Sequence, residues 1–438
     1  MLEIEQNKKI NAIVICPMLA DDKAFLSSES RLDEAVGLSL AIDLNVVYAE
    51  ILNLKEVKPA TYFSNGFIEK IKPIIEKEDV FLMIADTTLS AIQQRNLEKA
   101  LKIKVIDRTA LILEIFGERA QTSEGKLQVE LAHLTYQRSR LVRSWTHLER
   151  QRGGAGFLGG PGEKQIELDK RLIDDKIVKI KKELEKVKNT RTLQRGNRKK
   201  VPYPIVALVG YTNAGKSSLF NRLTEDNVMV ADMLFATLDP VLRKIKLTSG
   251  TEVILSDTVG FISNLPHELV MAFRSTLEEV LEADLVVHVR DVSNPNADFQ
   301  QKDVLDVLHH LGLKDIEHAK NYIEVLNKTD LLAEDEKKAL YASASRKHRK
   351  VVCVSAVTGE GCENLLSLID EKLASDQVES TAQISVSDGK SLALVYENAN
   401  VIEKIENDNF ITLRFKTSLK NNQKLAALLK NKEEKVSL

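Results

Sequence analysis

The sequence predicts a multidomain α/β protein. A phosphate-loop α/β domain is preceded by a small parallel α/β domain and a long antiparallel helical hairpin, and followed by a small α+β domain. Three observations predict this. Gly210-Tyr211-Thr212-Asn213-Ala214-Gly215-Lys216-Ser217 fits G-x-x-x-x-G-K-[ST] between a strand-like run and a helical start. Ile166, Ile173, Ile180 and Val187 recur every seven residues. Strand-like and helix-like stretches alternate over residues 1–115. The division that follows is 1–115, 116–200, 201–375 and 376–438.

Composition narrows the classes. A hydrophobic share of 43% supplies ample core material. A net charge of −2 excludes whole-chain attraction to nucleic acid, so only local charge can serve it. Cys16, Cys353 and Cys362 lack metal-like or C-x-x-C spacing and read as core thiols of a reducing compartment. Residues 1–6 lack a signal-peptide layout, and no apolar run has the length of a membrane span. The expectation is a cytoplasmic chain and a monomer when free.

In the first domain the strand candidates are Ala12 to Cys16, Asn45 to Tyr48, Phe81 to Ile84, and Val105-Ile106, with a helix from Gln93 to Leu101. Asp86, Arg95, Asn96 and Asp107 fall near strand ends, where ligands often bind. They read as solvated polar residues, and no catalytic cluster is legible.

The hairpin follows. Leu127, Leu131, Leu134, Leu141, Trp145 and Leu148 give one amphipathic helix, and the heptad run from Glu163 to about Arg195 gives the other. They are joined by residues 153–162, which hold six glycines and the apolar Phe157 and Leu158. The flanks are basic: Arg138, Arg140, Arg143, Arg150 and Arg152 before the tip, and Lys186, Lys188, Arg191, Arg195, Arg198, Lys199 and Lys200 after it. A plain coiled-coil spacer is one reading. An RNA phosphate contact is the favoured one, with Gly154, Phe157, Leu158, Arg191, Arg195, Arg198, Lys199 and Lys200 as candidates.

The third domain carries the chemistry. Backbone N–H groups of Gly210 to Ser217, with Ser218 opening the helix, would cradle phosphates. Lys216 would reach the β- and γ-phosphates, and the Ser217 hydroxyl would bind Mg²⁺. Asp257-Thr258-Val259-Gly260 offers a carboxylate that could hold Mg²⁺ through water and an N–H for the γ-phosphate. Phe235-Ala236-Thr237 offers Thr237 as a further Mg²⁺ ligand. Asn327-Lys328-Thr329-Asp330 suits guanine: a carboxylate accepts from N1–H and the 2-amino group, a donor pair adenine lacks. Ser355-Ala356-Val357 would close over the base. Five elements in this order imply a GTPase domain, and residues 200–375 resemble the translation-factor-related class of phosphate-loop GTPases. Where Ras-like enzymes have a water-orienting Gln just after the D-x-x-G glycine, this chain has Phe261, so hydrolysis should be slow without a partner. No catalytic residue is assigned. Asn213 is a candidate K⁺ ligand, or simply a hydrogen-bonding loop residue.

The last domain shows strand-like Gln383 to Val386, Val401 to Ile405 and Ile411 to Phe415, with helices from Ser391 to Glu397 and Leu419 to Leu429 and a charged tail expected to fray.

Hairpin, tip and GTPase domain together resemble the HflX family of ribosome-associated GTPases over residues 10–375. The runs 107–113, 124–131, 162–167 and 257–262 carry the resemblance, beside the tip. It implies binding to the large ribosomal subunit and its rRNA, with the arm near the peptidyl-transferase region. It also implies ribosome-stimulated GTP hydrolysis and a role in splitting or rescuing stalled ribosomes under stress. Two departures stand out. The tip has Leu158-Gly159 where many members carry Arg, which weighs against a direct charge contact there. Val241-Leu242 replaces Thr-Thr. Two rivals stay open: a GTPase acting in RNA modification or ribosome assembly, and a GTP-switched regulator whose arm binds a protein. Weaker binding on neutralising residues 186–200 would count against the second.

Overall fold

The computed structural model describes residues 9–19, 27–151, 161–198, 203–224, 235, 240–263, 279–346, 351–375, 377–407, 409–418, 422 and 425–426, with backbone only at 142–151, 161–167, 188–198, 375, 377, 397–398, 400 and 418. The first unit is β1 (Asn11–Leu19), α1 (Ser28–Leu40), β2 (Asn45–Leu54), α2 (Asn65–Lys77), β3 (Leu82–Ala85), α3 (Ala91–Leu101), β4 (Lys104–Asp107) and α4 (Arg108–Arg119). Its parallel sheet has the order β2-β1-β3-β4. Side chains of a strand alternate between faces. Ile13 and Ile15 of β1 join α2 and α3 in one core, through Phe67, Ile71 and Leu97. Ala12 and Val14 join a second core that runs through Leu111, Ile115 and Phe116 of α4 into Ala207, Val209 and Phe261 of the third domain. The two sheets therefore share one apolar interior.

Helix starts follow their caps. Ser64 accepts from Phe67 N, Ser90 forms a capping box with Gln93, and Asp107 accepts from Ala110 N. α5 (Ser123–Gln151) and α6 (Pro161–Arg198) pack through a small cluster: Leu127, Leu131 and Leu134 with Ile173, Ile177, Ile180 and Leu184. At 38 residues, α6 is roughly 57 Å long.

The central sheet has the order β10-β9-β8-β5-β7-β6. Its strands are β5 (Ile205–Gly210), β6 (Val241–Lys246), β7 (Glu252–Asp257), β8 (Leu285–Asp291), β9 (Tyr322–Asn327) and β10 (Val351–Cys353). Only β6 is antiparallel. Val241 and Leu242 open that edge strand, which gives the departure from Thr-Thr a structural setting. Among the described residues, the helices include α7 (Lys216–Thr224), α8 (Ala297–Leu311), α9 (Glu334–Arg346) and α10 (Cys362–Ser375).

Then come β11 (Gln377–Ser385), α11 (Gly389–Asn398), β12 (Asn400–Glu406) and β13 (Phe410–Ser418), with sheet order β11-β13-β12. β11 starts six residues before the expected Gln383, because its polar first half pairs with β13 from Gln377↔Ser418 onward. The helix expected over 419–429 falls almost wholly outside the described residues. No helix among the described residues is long and apolar enough to cross a membrane.

Candidate functional site

The phosphate loop turns from β5 into α7. Its tightness is visible at two glycines. A Cβ on Gly215 (φ 88°) would stand 2.2 Å from Asn327 Nδ2, and one on Gly260 would stand 2.9 Å from Thr212 Cα and 3.1 Å from Lys216 Nζ. Lys216 is 6% exposed, and its Nζ donates to Gly210 O (3.1 Å) and Tyr211 O (2.8 Å). Burial pushes its pKa down to about 8, against the pull of Asp257. An amine so poorly solvated is a strong anion ligand. Asn213 lies in the left-handed region at φ 58°.

Ser217 Oγ donates to Asp257 Oδ2 at 2.7 Å. Two hard oxygen donors side by side at the end of a phosphate loop form a set that suits Mg²⁺, which prefers oxygen and keeps several waters. Thr258 Oγ1 donates back to Leu208 O at 2.6 Å, locking the turn that presents Gly260.

Beyond Gly260, Phe261 is 1% exposed in the shared core, so its ring is withdrawn from any water at the loop. Its backbone is stitched to the phosphate loop: Phe261 N donates to Gly210 O (3.1 Å), and Thr212 N donates to Phe261 O (2.7 Å). Phe235, at φ 59°, is buried, and its ring meets Phe116 of α4 edge-on. Ala236 and Thr237 lie outside the described residues, as do Gly154, Phe157, Leu158, Lys199 and Lys200. Arg191, Arg195 and Arg198 are on α6 where only backbone is described.

At the base end, Asn327 is a clamp. Its Nδ2 donates to Ala214 O at 2.9 Å, and its Oδ1 accepts from Ala356 N at 3.1 Å, joining the phosphate loop to the loop after β10. Asp330 is exposed, and Ser355 Oγ donates to its Oδ1 at 2.5 Å. Lys328, at φ 64°, reaches Asp291 Oδ2 at 2.8 Å, and Val357 is exposed. Two supports are absent from the sequence reading: Asp291, and Arg222, whose Nε donates to Ala356 O at 3.1 Å. Neither lies in a motif, so only three-dimensional contact reveals it.

The strand ends of the first domain correct the sequence reading. Asp86 and Asp107 are not solvated; they are 2% and 0% exposed. Asp86 takes Arg108 Nη1 at 2.6 Å and Arg31 Nε at 3.2 Å. Burial alone would raise its pKa, but Arg108 and then Arg31 outweigh it and hold the carboxyl below its ordinary range. Asp107 accepts from Leu89 N, Tyr136 Oη and Arg140 Nη1 at 3.0–3.2 Å. Arg140 therefore belongs to the domain junction rather than to a basic face, and Arg138 pairs with Asp174 at 2.8 Å. Glu34, which no motif flagged, bonds Arg108, Tyr211 Oη and Ser263 Oγ.

Four family models match the chain: GTP-binding GTPase N-terminal over residues 29–117, GTP-binding GTPase Middle Region over 119–198, 50S ribosome-binding GTPase over 205–328 and HflX C-terminal domain over 339–436. The GTPase HflX of Magnetococcus marinus is 49% identical over 87% of this chain and 87% of its own length. The GTPase HflX of Escherichia coli is 42% identical over 82% of this chain and 83% of its own length. Among solved structures, a GTP-binding protein from Sulfolobus solfataricus in complex with GDP overlaps 84% of this chain and 99% of its own, at 24% identity and a TM-score of 0.45.

Proposed function

The chain belongs to the HflX family of GTPases, and from that premise we propose that it is a GTP-driven switch on the large ribosomal subunit, where it splits or rescues stalled ribosomes under stress. Lys216 and the amides of residues 210–217 hold the β- and γ-phosphates, the Gly260 N–H senses the γ-phosphate, and Asp330 reads the guanine edge. Ser217, Thr237 and, through water, Asp257 would hold Mg²⁺, which would add positive charge at the phosphate oxygens. Asn213 is the residue that would take K⁺. The arm of α5 and α6 contacts rRNA through its basic end and tip.

The observation that carries the ribosome dependence is Phe261. A buried phenyl ring stands where a side chain would orient the attacking water, so Phe261 leaves that task to another group. Turnover of the free protein is then on the order of 10⁻⁴ s⁻¹, the scale of unassisted GTPases. The test is GTP hydrolysis by the purified protein, alone and with large ribosomal subunits, in KCl and in NaCl. Strong stimulation by subunits supports the reading, and a rate confined to KCl supports the role of Asn213. Slow turnover indifferent to subunits removes the ribosome as activator.

A further inference from the structure

One helix of the N-terminal domain touches both segments that a nucleotide switch must move. α4 opens on Arg108, whose guanidinium donates to Ser263 O at 3.0 Å and to Ser263 Oγ at 3.2 Å. About two turns further along, Phe116 packs edge-on against Phe235, with ring centroids 4.7 Å apart. Ser263 follows Gly260 by three residues, and Phe235 adjoins Ala236 and Thr237.

Ser263 is held at every polar atom. Besides the two bonds from Arg108, its N–H donates to Tyr211 Oη at 2.7 Å and its Oγ donates to Glu34 Oε1 at 2.9 Å. Tyr211 Oη donates in turn to the other Glu34 oxygen. Glu34 is paired with Arg108, which is fixed from its far side by buried Asp86. Tyr211 is the second residue of the phosphate loop and is bridged through its backbone to Phe261. A phosphate loop uses the main chain at such a place; it has no need of a hydroxyl. The phenol of Tyr211 reaches into the N-terminal domain instead.

We propose that Glu34, held by Arg108, is a positioning residue for the GTP switch: through Tyr211 and Ser263 it fixes the loop that follows Gly260. The N-terminal domain thereby sets how strongly the site prefers GTP to GDP. This rests on residues 210–217 and Gly260 acting as proposed above. The Gly260 N–H meets the γ-phosphate, which GDP lacks. Fixing the loop therefore strengthens GTP binding and leaves GDP binding nearly untouched. By linkage, GTP tightens the junction between the domains by the same factor. The network is desolvated, so its hydrogen bonds are not screened as surface bonds are.

The experiment uses the full chain, a fluorescent GDP and a non-hydrolysable GTP analogue. Affinities are compared for wild type, Tyr211→Phe, Glu34→Gln and the double variant. Both single variants should shift the ratio of GTP-analogue affinity to GDP affinity about tenfold against the analogue, well within the usual range of coupling between sites. The double variant should be no worse than either single one, because both cut the same link. Tyr211→Phe keeps the ring and its packing, so it decides the matter if Glu34→Gln does not fold. Unchanged analogue affinity, an equal loss for both nucleotides, or additive losses in the double variant would each overturn the inference. A wild type that binds neither nucleotide would sink the phosphate-loop reading and this inference with it.

Discussion

The molecule holds two sheets built mainly of parallel strands, each with carboxylates near some of its strand ends, and it treats those ends in opposite ways. At the end of β5 the chain removes side chains: glycines at 210, 215 and 260 let backbone come within a Cβ's width of its neighbours. Buried Lys216 is held there, among the described residues, by two carbonyls and the nearby charge of Asp257. At the ends of β1, β3 and β4 the chain fills the same kind of crevice with side chains. Asp86 and Asp107 are each matched by arginines, and Ser263 of the GTPase domain is docked against them. The carboxyl ends of parallel strands are where ligands bind in open α/β sheets. One end here is shaped for a phosphate, and the other is closed by the neighbouring domain. The difference teaches that a strand-end carboxylate signals a site only when its countercharge is not already supplied by the fold.

That contrast can be broken by exchanging what each end depends on. The largest effect should come from Arg108→Met. It strips Glu34 and buried Asp86 of their shared cation and leaves Asp86 with Arg31 alone, and breaking a buried pair costs about 3–5 kcal/mol. Chemical denaturation should show the loss, and a change below about 1 kcal/mol would mean that water reaches this junction. Lys216→Ala should do the reverse. It removes a buried amine that the fold disfavours, so stability should hold or rise. Nucleotide affinity should fall on the order of a hundredfold, since hydrogen bonds to charged groups are worth about 1.5–3 kcal/mol. Isothermal titration with GDP checks it, and an unchanged affinity would remove the phosphate site. A smaller effect is expected at Asp330→Asn. The amide offers a donor where guanine presents donors, so GTP should lose about 2 kcal/mol while a xanthine nucleotide gains. Equal losses for both bases would show that Asp330 does not read the base.

Motif and periodicity made the GTPase end legible because its chemistry demands fixed spacing in one chain segment. Gly215, Lys216, Asp257 and Asn327 could be read this way, and the structure brings them together as that spacing implies. The first domain's sheet was equally legible from its apolar runs. The junction was not. Glu34, Arg108, Tyr211 and Ser263 lie far apart in sequence and meet only because α4 packs between two sheets. Buried ion pairs have no spacing rule, so nothing in the sequence marks Asp86 and Asp107 as paired with the arginines opposite them. Phe261 is the intermediate case. Its place in the motif showed what it cannot do, and only the shared core shows what it does instead.

The smallest effect separates the sheets by acid. His288 of β8 is buried against Tyr322 Oη at 2.8 Å, and burial, reinforced by Arg290, depresses its pKa from 6.5 to about 3. Between those values the unfolded chain takes up a proton that the folded sheet refuses, so stability falls as pH drops below 6.5. At pH 5.5, one unit below the ordinary histidine value, the loss is on the order of 1 kcal/mol. Asp86 behaves differently: its pKa is lowered, so its contribution persists until pH falls below the ordinary 3.8. Asp303 of α8 works against His288, since burial and Glu34 raise its pKa to about 6 and its protonated form is favoured on folding. Comparison of wild type with His288→Gln cancels that term, because both carry Asp303. Hydrogen exchange at pH 7.5 and 5.5 should therefore show β8 and β9 losing protection while β1 and β3 keep theirs, and His288→Gln should narrow the gap. Equal loss in both sheets, or a gap that survives in His288→Gln, would show that buried histidine is not what makes the nucleotide-bearing sheet the more acid-sensitive of the two.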